Sequence, residues 1–204
     1  MKNLTSNLVE SYNNKAQERD SFGVADWKVK ERDVFLKMLQ KEKLSNLLEL
    51  GAGTGKDSLF LSEEGLQTMS TDISPEMVNL CRAKGLEAKV MDFANLDFPD
   101  HHFDCVWAMN CLLHVPKAHI HKVLTEIKRV LKPSGLFFMG VYGGENSEGI
   151  WEEDFYTPKR FFSFFEDETI QELVSKYFQI ESFTIVPNEV VGGNFHFQSI
   201  IVRK

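Results

Sequence analysis

Apolar residues recur at helical spacing early in the chain and in short unbroken runs thereafter. Phe35, Met38 and Leu39 stand at i, i+3 and i+4, which predicts one apolar helical stripe within 27–43. At Asn46 the pattern changes. Asn46-Leu47-Leu48-Glu49-Leu50 is a short apolar run that ends among three glycines, and it reads as a buried strand entering a tight turn. Further strands are predicted at 67–72, 86–91, 103–109 and 136–142. Ser74-Pro75-Glu76 supplies an N-cap, a proline at the first helical position and a first-turn acid for a helix after the second strand. Ile120, Val123, Leu124, Ile127, Val130 and Leu131 share one face of a helix over 116–131, stopped by Lys132-Pro133-Ser134-Gly135. A helix near 167–177 (Ile170, Leu173, Val174, Tyr177) precedes two strand-like runs, 179–187 and 195–203. These are joined by 188–194 with Gly192-Gly193, a hairpin signal.

Strands alternating with helices imply βαβ units and an α/β fold. The expected sheet has seven strands, is mainly parallel and carries helices on both faces, with an antiparallel strand at the C-terminal hairpin. The chain reads as one domain, 1–204. An N-terminal helical cap (1–45) precedes the core (46–142), an insertion or lid (143–166), and the final helix and hairpin (167–204).

Composition narrows the class. Of 204 residues, 43% are hydrophobic and 26% charged, which suffices for a sizeable core. Thirty acids against 23 bases give a net charge of −7, an awkward balance for gripping a phosphate backbone. No apolar run approaches the roughly 18–20 residues that span a bilayer, and the N-terminus lacks the apolar core of a signal peptide. Cys81, Cys105 and Cys111 match neither a disulfide framework nor a zinc pattern. The expectation is a cytoplasmic protein with reduced thiols and no membrane partner. His101-His102 and the His119/His121 pair have spacings that do not share a helix face, so no metal site is expected.

The main candidate chemistry lies in Glu49-Leu50-Gly51-Ala52-Gly53-Thr54-Gly55, where a strand ends and a helix begins. Glycines there permit positive φ and close ligand approach, and the helix start adds unpaired N–H groups. A phosphate-binding P-loop fails twice, because Leu50 takes the first glycine position and Asp57 follows Lys56. The dinucleotide fingerprint G-x-G-x-x-G fails once, at Lys56.

The E-x-G-x-G-x-G turn, followed by an acid at the next strand end, resembles the class I S-adenosylmethionine-dependent methyltransferases. The likeness covers roughly 45–142. Asp72 stands where that family's acid binds both ribose hydroxyls, next to Ile73. Met91-Asp92-Phe93-Ala94 resembles the segment whose acid pairs with the adenine amine, although Asp97 competes with Asp92 for this role. Phe103-Asp104-Cys105-Val106 with His114-Val115 is similar to the fourth strand and its active-site loop, and 131–136 to the turn into the fifth. The resemblance implies a Rossmann-like fold, S-adenosyl-L-methionine as cofactor and S-adenosyl-L-homocysteine as product. Cofactor contacts are expected at Glu49, Gly51, Ala52, Gly53, Gly55, Asp72, Ile73, Asp92, Phe93 and Asn110. Glu49 would orient the glycine loop or approach the methionyl ammonium. An isolated Asp72 would otherwise read as a helix cap.

For the acceptor, His114 at the carboxyl edge of the sheet is the candidate base; otherwise it is a structural loop histidine. Asn110-Cys111-Leu112-Leu113 replaces the [ND]-P-P-[FY] motif of amine-specific members, which disfavours a base amine or glutamine amide as acceptor. Residues 151–165 hold seven aromatics with Arg160 among them. Trp151 and Arg160 are candidate acceptor contacts, unless the stretch only packs over the sheet. Tyr12 and Trp27 are candidates to close over the cofactor, and Tyr12 is a further candidate acceptor contact. The leading expectation is methyl transfer to a small molecule. A tRNA-modifying enzyme is the alternative, with nucleic acid disfavoured by charge; a non-catalytic cofactor-binding protein is another, and a nicotinamide-dependent oxidoreductase a lesser one.

Overall fold

The computed structural model describes residues 2–204. Helices α1 (Lys2–Ser21) and α2 (Asp26–Glu42) precede β1 (Asn46–Leu50), α3 (Lys56–Glu63), β2 (Gln67–Asp72), α4 (Pro75–Ala83) and β3 (Glu87–Val90). Then come β4 (Phe103–Met109), a 3-10 turn (Leu112–His114), α5 (Lys117–Val130) and β5 (Leu131–Gly143). The C-terminal part holds β6 (Ser147–Ile150), β7 (Phe161–Phe164), α6 (Asp167–Ser175), β8 (Gln179–Val186), α7 (Asn188–Val191) and β9 (His196–Arg203).

Seven strands form one sheet in the order β3-β2-β1-β4-β5-β9-β8. Contacts from β3 through β5 are parallel, and β9 runs antiparallel to both of its neighbours. The fold is the expected Rossmann-like sheet, and its order reverses between β1 and β4, where ligands bind in such sheets. Alternation along the central strands supplies both cores. Val106 and Ala108 face α5 and α6, packing with Ile120, Leu124, Ile127 and Ile170. Cys105 and Trp107 point the other way, to Phe35, Leu36 and Leu39 of α2. Trp107 stacks on Phe138 with ring centroids 4.0 Å apart.

Three details depart from the sequence pattern. Lys132–Gly135 does not separate α5 from its strand: β5 starts at Leu131 and the segment is a bulge within it, Phe103 pairing with Leu131 and Cys105 with Leu136. Residues 143–166 contain a second, two-stranded sheet, β6 against β7. Trp27 does not close over the site. It is buried in the core, its ring 4.6 Å from that of Phe197.

Helix α1 is polar, and among its described side chains only Ser11 and Ala16 are fully buried. Polar side chains fasten it instead. Lys84 pairs with Asp20 at 2.6 Å and also donates to the Thr54 carbonyl. Lys56 donates to the carbonyls of Arg19 and Phe22, and Ser74 donates to Asn13. On the other side Asn14 donates to the Thr157 carbonyl and Arg19 to the Tyr156 hydroxyl. The helix thus lies as a cover across the carboxyl edge of β1 and β2.

Candidate active site

A cavity of about 280 Å³ lies under α1 at the β1/β4 switch point. The glycine turn forms its floor. Gly51 and Gly53 have φ of 63° and 55°, values that favour glycine. A Cβ on Gly51 would stand 2.3 Å from the Cys111 Cβ, whereas one on Gly53 would meet no protein atom within 4 Å. Gly51 is therefore a packing glycine, and Gly53 is where a ligand can approach the backbone. Gly55 does not reach the cavity wall. Its Cβ would strike Cys81 and Leu86, so it serves the turn and the packing of α3.

The strand ends deliver the acids. Asp72, at the end of β2, is 7% exposed and lines the cavity. Its two oxygens accept from the Gly53 N–H at 2.9 Å and the Ser74 N–H at 2.8 Å. Burial raises its pKa, and those N–H donors work against the rise. The carboxylate thus ties the glycine turn to β2 and keeps lone pairs for further donors. Glu49 is 3% exposed on the same wall and accepts from the hydroxyl and N–H of Ser58. Burial, with Asp57 nearby, raises its pKa well above the usual carboxylate range. Asp57 also lines the cavity; it pairs with Arg32 at 3.0 Å and accepts from the Trp107 indole.

Ile73 and Phe93 line this cavity together with Ala52, Asn110, Cys111 and Met109. The Asn110 Oδ1 is buried without a hydrogen-bond partner. A second cavity, of about 100 Å³, adjoins the first and shares Leu8, Ile73, Phe93 and His114 with it. Asp92 lines only this smaller space, where one of its oxygens accepts from the Ala94 N–H.

Tyr12 and His114 meet on the wall of the larger cavity. The His114 Nδ1 is 2.8 Å from the Phe161 carbonyl oxygen, which can only accept, so Nδ1 carries the proton. Nε2 is then the acceptor for the Tyr12 hydroxyl at 2.7 Å. Burial lowers the His114 pKa to about 3, so the ring is neutral. Behind Tyr12, Arg160 donates to its hydroxyl at 3.1 Å and makes a two-pronged ion pair with Asp154. Arg160 therefore stands behind the wall and reaches it through the Tyr12 hydroxyl. Trp151 also lies off the cavity, edge-on to Phe162, Phe164 and Phe195.

The sequence reading missed the cations. Arg19, Lys28 and Lys56 line the larger cavity. Leu8, Tyr12 and Arg19 fall at i, i+4 and i+11 on one face of α1, a spacing that was available as a signal.

A model of the methyltransferase domain matches residues 48–139. Phosphoethanolamine N-methyltransferase of Plasmodium falciparum is 26% identical over 117 residues, 54% of this chain and 44% of that protein. A Homo sapiens protein named "Probable tRNA methyltransferase 9B" is 31% identical over 117 residues, covering 56% of this chain and 25% of that one. The chain therefore spans less than half the length of these two relatives. Among solved structures, Burkholderia thailandensis 1,6-didemethyltoxoflavin-N1-methyltransferase, with 1,6-didemethyltoxoflavin and S-adenosylhomocysteine bound, aligns over 98% of this chain and 87% of that one. Its TM-score is 0.74 at 21% identity, a likeness of fold. The methyltransferase domain match over residues 48–139, seated on this sheet order and this glycine turn, supports a class I S-adenosylmethionine-dependent methyltransferase.

Proposed function

We propose that the protein transfers the methyl group of S-adenosylmethionine to a small-molecule acceptor. The observation that carries this reading is the pair of joined cavities, with Glu49 and Asp72 on the larger and Asp92 on the smaller. The residues fit the cofactor. Asp72 has lone pairs for two ribose hydroxyls, and Gly53 leaves room that a side chain would fill. Ile73, Phe93 and Ala94 offer apolar walls for the base, with Asp92 to receive its amine. Arg19 and Lys28 offer cations for the amino-acid carboxylate, and the Asn110 Oδ1 lacks a donor that the ammonium could supply.

The bound cofactor supplies an electrophilic methyl on a sulfonium. The chain supplies alignment and the removal of a proton. α1 covers the site in part, and a fixed approach of the acceptor is worth on the order of 7–11 kcal/mol of barrier. The Tyr12 oxygen would hold the acceptor's X–H and take its proton, while the Tyr12 proton would pass to the His114 Nε2. A methylated acceptor is a stronger acid, which would suit a base as weak as His114.

The covered cavity and the net charge of −7 favour a small acceptor over tRNA. The test is S-adenosylhomocysteine formation with a panel of small amines, phenols and thiols, run beside unmodified tRNA. Turnover with a member of the panel is expected. Turnover with tRNA alone would overturn the acceptor class, and turnover with neither would favour a non-catalytic binder.

A further inference from the structure

Glu49 occupies an unusual electrostatic position for a cavity that would take a cation. It is almost fully buried and lies on the wall of the larger cavity, and its side-chain partner is Ser58, whose hydroxyl in turn accepts from Ser70. The charged groups facing it are of its own sign: Asp57 from α3 and Asp72 from the end of β2. The thiols of Cys81 on α4 and Cys111 after β4 also feel its charge. The nearby cations are turned elsewhere. Arg32 of α2 pairs with Asp57, Lys28 of α2 feels chiefly Asp57 among the acids, and Lys56 is fastened to carbonyls at the end of α1. Arg19 is engaged with the Tyr156 hydroxyl and the Tyr12 ring.

Three acids on one wall, the innermost without a counter-ion among the described residues, make ionisation of that innermost acid dependent on what enters. We propose that Glu49 is a charge-discriminating residue: it is a neutral carboxylic acid in the ligand-free protein and becomes a carboxylate when a sulfonium ligand occupies the cavity, releasing one proton to solvent. This inference rests on the proposed cofactor assignment and goes beyond it. A buried acid that cannot easily carry its charge alone can carry it beside a fixed cation. The homocysteine product lacks the sulfonium charge, so it draws out the proton less and is held less tightly. Glu49 thereby favours substrate over product at the same site, and the preference grows as pH rises toward the pKa of ligand-free Glu49.

The test is calorimetric titration of the full chain with S-adenosylmethionine and with S-adenosylhomocysteine, each in phosphate and in Tris buffer. These buffers differ in ionisation enthalpy, so the difference in apparent heat counts the protons released. About one proton per S-adenosylmethionine bound is expected, with fewer for the product, and a ratio of affinities that rises with pH. Glu49→Gln should remove the buffer dependence and narrow that ratio. The pH series on the unaltered protein tests the claim without the variant. Equal heats in the two buffers with both ligands bound would overturn this inference alone, as would proton release that persists in Glu49→Gln. Failure of both ligands to bind would overturn it together with the cofactor assignment.

Discussion

The Tyr12 hydroxyl lies 2.7 Å from the His114 Nε2, joining α1 to the turn after β4 across 102 positions of sequence. The Phe161 carbonyl fixes the tautomer that makes this bond possible, and Arg160 occupies a second position on the same hydroxyl. One lone pair of Tyr12 is left to face a ligand.

Tyr12→Phe removes that lone pair and the relay to His114 while keeping the ring. Turnover should fall on the order of 10²-fold or more. Affinity for S-adenosylhomocysteine should change by only a few fold, because the role proposed for the hydroxyl is toward the acceptor. A variant with full turnover and impaired cofactor binding would assign Tyr12 to the cofactor instead.

His114 also carries a pH signature. Its folded pKa, about 3, lies below the ordinary histidine value of 6.5. The unfolded chain therefore binds the proton first, and stability should be complete above about pH 6.5 and decline as pH falls toward 3. His114→Gln should flatten that part of the stability profile in denaturant titrations. An unchanged slope would place the acid sensitivity elsewhere.

The two cavity-floor glycines should separate in experiment. Gly51→Ala places a methyl against the Cys111 side chain and should cost roughly 1–3 kcal/mol of overpacking on top of its positive φ. Gly53→Ala has open space around it and should cost about 1–2 kcal/mol from backbone conformation alone, yet lose ligand affinity. Thermal midpoints and S-adenosylhomocysteine affinities measured side by side check both. Equal affinity losses without a stability difference would contradict this division of roles.

Much of this arrangement was legible in the chain. β1, β4 and the glycine turn follow from local pattern, because a buried parallel strand is a continuous apolar run and a turn at positive φ needs glycine; the polar β2 and β3 follow from their place in the alternation of strands and helices. The Asp72 position follows from its place at a strand end after that turn. What local pattern could not give was set by distant pairing. Trp27 sits on a helix face as Tyr12 sits on another, and only the packing of α2 against Phe197 sends it into the core. The β6–β7 pair spans 150 to 161 through an irregular loop, so neither short strand is marked by a hairpin turn signal. Lys132-Pro133-Ser134-Gly135 looks like a break because proline and glycine punctuate most strands; here a bulge tolerates them.

The polar fastening of α1 predicts local rather than global change. Lys84→Ala removes the link between Asp20 and the Thr54 carbonyl, and exposed or half-exposed ion pairs contribute about 0.2–1 kcal/mol. Hydrogen exchange should quicken across 2–21 while the core strands stay protected. Unchanged exchange in α1 would show that the other contacts hold it unaided.

The central claim is that the cavity over Gly51–Gly53, with Asp72 on its wall, takes the sulfonium cofactor and its product. The most direct measurement is calorimetric titration with S-adenosylhomocysteine, using NAD as control, on the unaltered protein and on Asp72→Ala. The account predicts affinity on the order of micromolar for the product, or about −8 kcal/mol, and none of comparable strength for NAD. Asp72→Ala, still folded by its thermal midpoint, should lose roughly 1.5–3 kcal/mol of that binding. No binding of S-adenosylhomocysteine, a preference for NAD, or full affinity in Asp72→Ala would contradict it.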